Sequence, residues 1–349
     1  MADIMSPLFY VPGLLFEGLV RLRNRLYDAS LLRQDRLPYP VISIGNLTLG
    51  GSGKTPLVIH LAQTVARMGG TPALLSRGYG RLAKKPVVLS PGEEVRLPVQ
   101  VLGDEPALVR QRAPQLWLGI SPDRHAVGLQ IAQRNVHPLF ILDDGFQHRR
   151  LKRDLDIVVV DRSQPLAGNR MLPGGTLREP LAGLRRADLV VINGHCGNPE
   201  HDPVEALIRK IKQNASVFHC TQAIERLVPF TAWRTGDCQA APYPDAGPAF
   251  LVAAIGNPER FRRDVQGLGA DILGVRFFRD HFCLQRSHWL SCAAEARAVG
   301  AAALITTEKD AIKLTDALDL PIFVAAQSVH LSEQQDLEWR LRAMIEGDR

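Results

Sequence analysis

Long apolar runs are missing from this chain. The nearest approach, Pro7 to Val20, is apolar apart from Glu17, and is shorter than the ~20 residues a membrane-spanning helix needs. Cysteine is scarce and scattered: Cys196, Cys220, Cys238, Cys283 and Cys292 are odd in number and contain no C-x-x-C. That excludes a disulfide scaffold and a structural zinc, and fits a reducing compartment. His195-Cys196 has no partner at metal-ligand spacing and reads as ordinary surface or core. Charge of one sign is also lacking. A net +6 with pI about 9.2 suits an acidic substrate or an anionic membrane surface, and is too diffuse for nucleic acid. The N-terminus is no signal peptide, because Asp3 stands where positive charge belongs. There are no repeats and no low-complexity tracts.

What remains is an ordinary globular composition, 46% hydrophobic and 22% charged. A length of 349 residues allows a large core and suggests two domains. The chain is organised around Asn46-Leu-Thr-Leu-Gly-Gly-Ser-Gly-Lys-Thr-Pro56. The β-branched run Val41 to Ile44 precedes it, and a helical pattern with Leu57, Val58, Leu61, Val65 and Met68 on one face follows. Strand, glycine-rich turn and helix are the context in which G-K-[ST] means a phosphate-binding loop. The loop Thr48, Leu49, Gly50, Gly51, Ser52, Gly53, Lys54 and Thr55 is read as nucleotide-binding. Lys54 would reach the β/γ-phosphates and the Thr55 hydroxyl would hold Mg²⁺. Thr48 departs from the strict pattern, which has glycine there.

Further along, Pro72 to Ser76 reads as a second strand, ending in the basic turn Arg77-Gly-Tyr-Gly-Arg81. Arg77 and Arg81 either face a phosphate at the carboxyl end of the sheet or line a solvated turn. Lys84 to Val101 reads as a hairpin-like excursion turning at Pro91-Gly92. Gly103-Asp-Glu-Pro106 precedes a helix from Ala107 to about Arg112. Asp104 and Glu105 are either helix caps or an acid/base group, and spacing does not decide. Pro138-Leu-Phe-Ile-Leu-Asp-Asp144 is a buried strand ending in aspartate, the arrangement in which Asp143 or Asp144 holds Mg²⁺ beside a phosphate-binding loop. Gln147 and His148 are the polar groups next to the expected γ-phosphate. Strands are expected at 156–161 and 188–193, with Arg178 and Glu179 between them as either phosphate and metal contacts or a surface ion pair. Residues 221–248 read as a linker, single or two-stranded in form, before a second αβ unit with strands near 250–255, 272–275, 302–307 and 321–325 and a last helix from Leu331 to Ile345.

Taken together, these motifs resemble the tetraacyldisaccharide 4'-kinases of lipid A biosynthesis over nearly the whole chain. The resemblance lies in Gly45-Asn-Leu-Thr with Gly50-Gly-Ser-Gly-Lys-Thr-Pro56, Ser76-Arg-Gly-Tyr-Gly-Arg81, Gly103-Asp-Glu-Pro106 and Asp143-Asp-Gly-Phe-Gln-His148. It continues in Leu177-Arg-Glu-Pro180, Asp280-His-Phe282 and Thr306-Thr-Glu-Lys-Asp310. Thr48 looks like what this family carries at its position. The resemblance implies a P-loop NTPase-like three-layer α/β/α domain and a second, smaller α/β/α domain joined by a β-strand linker. The expected division is 1–36 as an N-terminal interfacial helix region, 37–220 as the P-loop domain, 221–248 as linker and 249–349 as the second domain, whose last helix packs back on the first. It implies ATP- and Mg²⁺-dependent transfer to the 4'-hydroxyl of an acylated disaccharide 1-phosphate lipid, at the cytoplasmic face of a Gram-negative inner membrane, with no nucleic acid and no obligate protein partner.

On that resemblance Lys54 neutralises the transferring group, while Thr55 with Asp143 or Asp144 holds Mg²⁺ and Glu179 adds a further contact. Asp104 takes the hydroxyl proton, and His281 orients it. The apolar N-terminal segment and its flank Arg21, Arg23 and Arg25 form either an interfacial membrane helix or a helix docked on the protein's own core. Two other readings compete. A GTPase switch or metallochaperone shares the loop and the aspartate strand, but Thr307-Glu-Lys-Asp310 has the guanine-reading letters in the wrong order. A non-catalytic nucleotide-binding membrane adaptor would not need Asp104, Gln147, His148 and Glu179 together.

Overall fold

The run Val41–Gly45 (β1) is buried at every position, as expected of a β-branched strand covered on both faces of a parallel sheet. In a computed structural model of the chain, residues 10–347 are described except 82–84, 94–98, 135, 165, 167, 197–200, 238–246 and 281. β1 lies between β5 (Pro138–Asp143) and β6 (Leu155–Asp161), parallel to both. Beyond β5 come β2 (Thr71–Ser76), β4 (Trp117–Ile120) and the edge strand β3 (Val87–Leu89). Beyond β6 come β7 (Leu189–Asn193) and β8 (Ser216–Pro229). The sheet then continues through β12 (Ile322–Leu331), β11 (Ala303–Thr307) and β9 (Ala249–Ala253) to β10 (Ile272–Phe277), giving 12 strands in one sheet.

Two parallel blocks meet in this sheet at an antiparallel seam. β8 runs parallel to β7 over Ser216–Cys220, then antiparallel to β12 from Cys220 to Pro229. Much of the segment read as linker is therefore strand, and α7 (Phe230–Arg234) follows it directly. Trp233 is fully buried in the core of the second block with Val228 and Phe230. β8 agrees with the β-strand linker that the resemblance implies: its buried residues, among them Cys220, Ile224, Leu227 and Val228, follow a strand's alternation broken by a register shift. Residues 238–246 of the same segment, Cys238 among them, lie outside the described residues.

Helices cover both faces. On one face α2 (Lys54–Arg67) presents Leu57, Val58, Leu61 and Val65 to the sheet, and Leu337 and Leu341 of α11 (Gln334–Glu346) join the same core. α3 (Val99–Leu102) and α4 (Asp104–Arg112) add Leu102, Ala107 and Val109 to it. On the opposite face lie α5 (Arg124–Ala132), packed on Leu37 and Phe140, and α6 (Pro203–Ile211), packed near Val190 and Ile192. The second block carries α8 (Pro258–Gly267), α9 (Arg286–Ala298) and the short α10 (Glu308–Ala311).

Two local expectations change. The excursion after Lys84 is not a hairpin on itself among the described residues: β3 pairs antiparallel with β4, a strand that four residues were too few to announce. The helix after Gly103 begins at Asp104 rather than Ala107, so both carboxylates stand in its first turn.

α1 (Tyr10–Asp28) rests on the second face through Gly13, Phe16 and Val20. Val11, Leu14, Leu15, Leu19 and Leu22 form an exposed apolar stripe on its other side. The helix is thus docked and amphipathic in the reverse sense, with its larger apolar face outward. No helix among the described residues is long and apolar enough to cross a membrane. Of the flanking arginines, Arg23 turns inward, close to Glu179 and Arg186, where burial holds its pKa below the ordinary value. Arg21 pairs with Glu17 one turn back.

Candidate active site

The loop after β1 wraps into the N-terminus of α2. Gly53 takes a left-handed conformation at φ +82, and a Cβ there would lie 2.2 Å from the Gln222 amide and 2.4 Å from that of Asn193. Only glycine fits such a position. The two amides brace the loop: Asn193 Nδ2 donates to the Ser52 carbonyl at 3.2 Å and Gln222 Nε2 to the Gly53 carbonyl at 3.0 Å. Thr48 is buried and bridges Leu177, while Leu49 N–H donates to the Thr176 carbonyl at 2.7 Å. Asn46 caps the turn by donating to the Thr48 carbonyl. Residue 48 therefore sits in a small ladder, a place where threonine serves as well as glycine. The Ser52 hydroxyl is buried without a hydrogen-bond partner, as suits a donor facing an anion at a helix N-terminus.

Lys54 opens α2, and Thr55 follows it. The Lys54 ammonium lies 3.5 Å from Asp144 Oδ1, and Arg178 donates to both Asp144 oxygens at 2.9 and 2.8 Å. These cations hold the Asp144 carboxyl below its ordinary pKa against the opposing effect of burial. Asp143 is different. Its carboxylate has one hydrogen bond, from Ser76 Oγ at 3.3 Å, and burial followed by the charges of Glu105 and Asp144 pushes its pKa up to about 7. A desolvated carboxylate among like charges favours a bound cation, and oxygen-only donors suit Mg²⁺. The residues fit the metal, with Asp143 uncommitted and Asp144 already engaged by two cations. Arg124, buried on α5, supports the strand end by donating to the Asp143 carbonyl at 2.9 Å.

The N-terminus of α4 adjoins this cluster, since Glu105 acts on Asp143. Asp104 stands beside it, ion-paired at 2.8 Å with Lys313 from the second block. His281 lies outside the described residues; its neighbour Asp280 pairs with Lys309 at 3.1 Å. Arg77 is exposed on the turn after β2 and acts on Arg124, whereas Arg81 is partly buried. His148 is held near the site with its pKa lowered to about 4, first by burial and then by Arg124, Arg153 and Arg150.

Some predicted residues are drawn elsewhere. Glu179 is fully buried and taken by Arg186, which also stacks on Phe146, and by Asn24 of α1 at 2.9 Å. Gln147 donates to the Asn46 carbonyl at 2.9 Å and to Glu179 at 3.4 Å. Arg178 and Glu179, neighbours in sequence, thus part: one faces the phosphate loop, the other ties α1 to the domain. Thr307 to Asp310 caps α10. Asp310 is fully buried and accepts from Ala254 N–H and the Thr307 hydroxyl at 2.9 and 2.7 Å, so its carboxylate is unavailable to read a guanine.

A family model described as tetraacyldisaccharide-1-P 4'-kinase matches residues 5–346. The chain belongs to this family. It is 39% identical over 328 residues to a tetraacyldisaccharide 4'-kinase of Geobacter metallireducens, covering 91% of this chain and 92% of the relative. It is 37% identical over 317 residues to the enzyme of that name from Chlorobium limicola, covering 90% and 88%. The solved structure of LpxK from Aquifex aeolicus in complex with ATP superposes with a TM-score of 0.75 at 29% identity, covering 95% of this chain and 97% of that one. Membership of a kinase family accounts for what a switch or adaptor would not need: carboxylates gathered from β5 and α4 around one phosphate loop. Sequence reasoning did not find Ser76, Arg124, Asn193, Gln222, Arg186 or Lys313. Asn193 and Ser76 had a signal, each standing at the carboxyl end of a buried strand, where α/β sheets bind ligands.

Proposed function

We propose that this chain transfers the γ-phosphate of ATP to the 4'-hydroxyl of a tetraacylated glucosamine disaccharide 1-phosphate. The observation that carries the reading is the approach of α4, with Asp104 and Glu105 in its first turn, to Asp143, beside the Lys54–Asp144 pair of the phosphate loop. Lys54 neutralises charge on the transferring group. Thr55 and Asp143 hold Mg²⁺, which when bound supplies charge neutralisation on the phosphates. Asp104 accepts the proton leaving the 4'-hydroxyl as its oxygen attacks phosphorus, with His281 as the orienting partner. Arg77, Arg81 and Arg178 offer charge to substrate phosphates.

The protein works at the cytoplasmic face of the inner membrane. Support comes from the outward stripe Val11, Leu15, Leu19 and Leu22, which suits insertion at a bilayer surface. Beside α1 lies a cavity of about 300 Å³ with an apolar side of Leu14, Met171, Leu177 and Leu181 and a charged side of Glu17, Arg21 and Arg170, a mixed lining that suits the boundary between acyl chain and headgroup. Residues 37–220 and 249–349 act as two units that close on the nucleotide.

The test is transfer of labelled γ-phosphate, with Mg²⁺, to detergent-dispersed tetraacylated disaccharide 1-phosphate, for wild type and Lys54→Ala. A bis-phosphorylated lipid made only by wild type is expected. Nucleotide hydrolysis indifferent to the acceptor, without lipid product, would overturn the reading.

A further inference from the structure

We propose that Lys313 is a positioning residue for Asp104, one that fixes the carboxylate's direction for proton transfer; this rests on the reading of Asp104 as the base. Lys313 Nζ lies 2.8 Å from Asp104 Oδ2, with the lysine side chain 6% exposed and that of Asp104 36%. Lysine is almost never so buried without a partner. The charge of Asp310 also acts on it, but the ion pair Lys313 makes is with Asp104, while Asp310 Oδ2 accepts from Ala254 N–H and the Thr307 hydroxyl.

The segment Thr306–Lys313 grips α4 at both ends. Glu308 takes Arg112 in the last turn at 2.6 Å, and Lys313 takes Asp104 in the first. These anchor points are about 12 Å apart along a helix. The Glu308 end is sealed: Trp233 Nε1 and Gln327 N–H donate to the same carboxylate. At the Lys313 end the Asp104 carboxylate stays partly exposed. With Oδ2 held by the ammonium, Oδ1 is left for the acceptor. The 4'-hydroxyl proton passes to Oδ1 as the new O–P bond forms and the bond from phosphorus to the departing ADP oxygen breaks. Lys313 neither gains nor loses a proton. Phosphoryl transfer depends on positioning and charge more than on covalent help, and a misplacement of about 1 Å can cost ~10²-fold in rate.

The experiment measures kcat and KM for ATP and for the lipid acceptor in full-length Lys313→Met, Lys313→Arg, Asp104→Asn and the Lys313→Met/Asp104→Asn double variant, each with a thermal melt. Lys313→Met is expected to lose roughly 10- to 100-fold in kcat with KM for ATP little changed. Lys313→Arg should recover most of that loss, and the double variant should be no slower than Asp104→Asn. Normal kcat in Lys313→Met beside an inactive Asp104→Asn overturns the proposal alone. Near-normal kcat in Asp104→Asn overturns the base reading instead. Arg112→Met cuts the other tie, so an equal kcat loss there, tracking the melt, makes Lys313 merely structural and also overturns the proposal.

Discussion

Arg112 and Glu308 meet at 2.6 Å between α4 and α10, with both side chains largely buried. Trp233 Nε1 and the Gln327 N–H share the same carboxylate, so the pair ties the P-loop block to the second block. Removing one partner of such a pair leaves an uncompensated buried charge. Arg112→Met should therefore lower the unfolding free energy by about 3 kcal/mol, read as a lower midpoint in urea. An unchanged midpoint would mean that Trp233 and Gln327 suffice to hold Glu308.

Gly53 carries the second prediction. Alanine there must adopt a left-handed backbone, which costs about 1 kcal/mol, and must displace the Asn193 and Gln222 amides. Gly53→Ala is expected to weaken ATP binding by more than about tenfold, an energy of roughly 1.4 kcal/mol, and to lower the melt of the nucleotide-free protein, since the strain is already present there. Calorimetric titration with ATP checks this, and native affinity would show that the loop does not need its braced shape.

His148 gives a pH prediction with a definite sign. Its pKa is lowered to about 4 by burial and neighbouring arginines, so the unfolded chain binds the extra proton first. Its contribution to stability is full above the ordinary histidine range and declines as pH falls through about 6.5 toward 4. Asp143, raised to about 7, acts oppositely over much of that range. The contribution is therefore isolated by subtraction: stability of wild type minus His148→Gln should fall as pH is lowered from 7 to 4. A flat difference curve would remove the buried-histidine effect.

The outer face of α1 is the fourth. Val11, Leu15, Leu19 and Leu22 are exposed on one side of the helix, and burying each in a bilayer surface is worth on the order of 1.5 kcal/mol. Replacing Leu15 and Leu19 by serine should weaken partitioning into anionic vesicles by at least about tenfold, the equivalent of 1.4 kcal/mol. Sedimentation with the vesicles measures it. Equal partitioning of variant and wild type would rule out this face as the membrane contact.

What was legible in the sequence had a local cause. The phosphate loop needs glycines, a strand before it and a helix after it, all within one short stretch, and so do the aspartates that end β5. Partners that reach from far along the chain leave no such trace. Gln222 braces Gly53, and Lys313 meets Asp104, only because the sheet brings β8 and α10 to the loop. Periodicity says nothing about that. The same holds for Arg178 and Glu179, read either as phosphate and metal contacts or as a surface ion pair: they do not pair with each other, and each has its own partner in space, Asp144 and Arg186. β8 was expected only as part of a β-strand linker; its length and pairing left no local signal because its partners change midway along it, from β7 to β12.

That shared strand bears on how the chain must be made. Until β12 emerges, β8 from Thr221 onward has no partner on its outer edge. The face of α2 that Leu337 and Leu341 later cover is likewise bare. A nascent chain halted before Ile322 would present an open strand edge beside an uncovered apolar face, the combination that drives strand-to-strand aggregation. The block that holds the phosphate loop is thus finished by residues from 322 onward, translated long after the loop itself, and truncations before Ile322 should reach the nucleotide site through insolubility before they touch its chemistry.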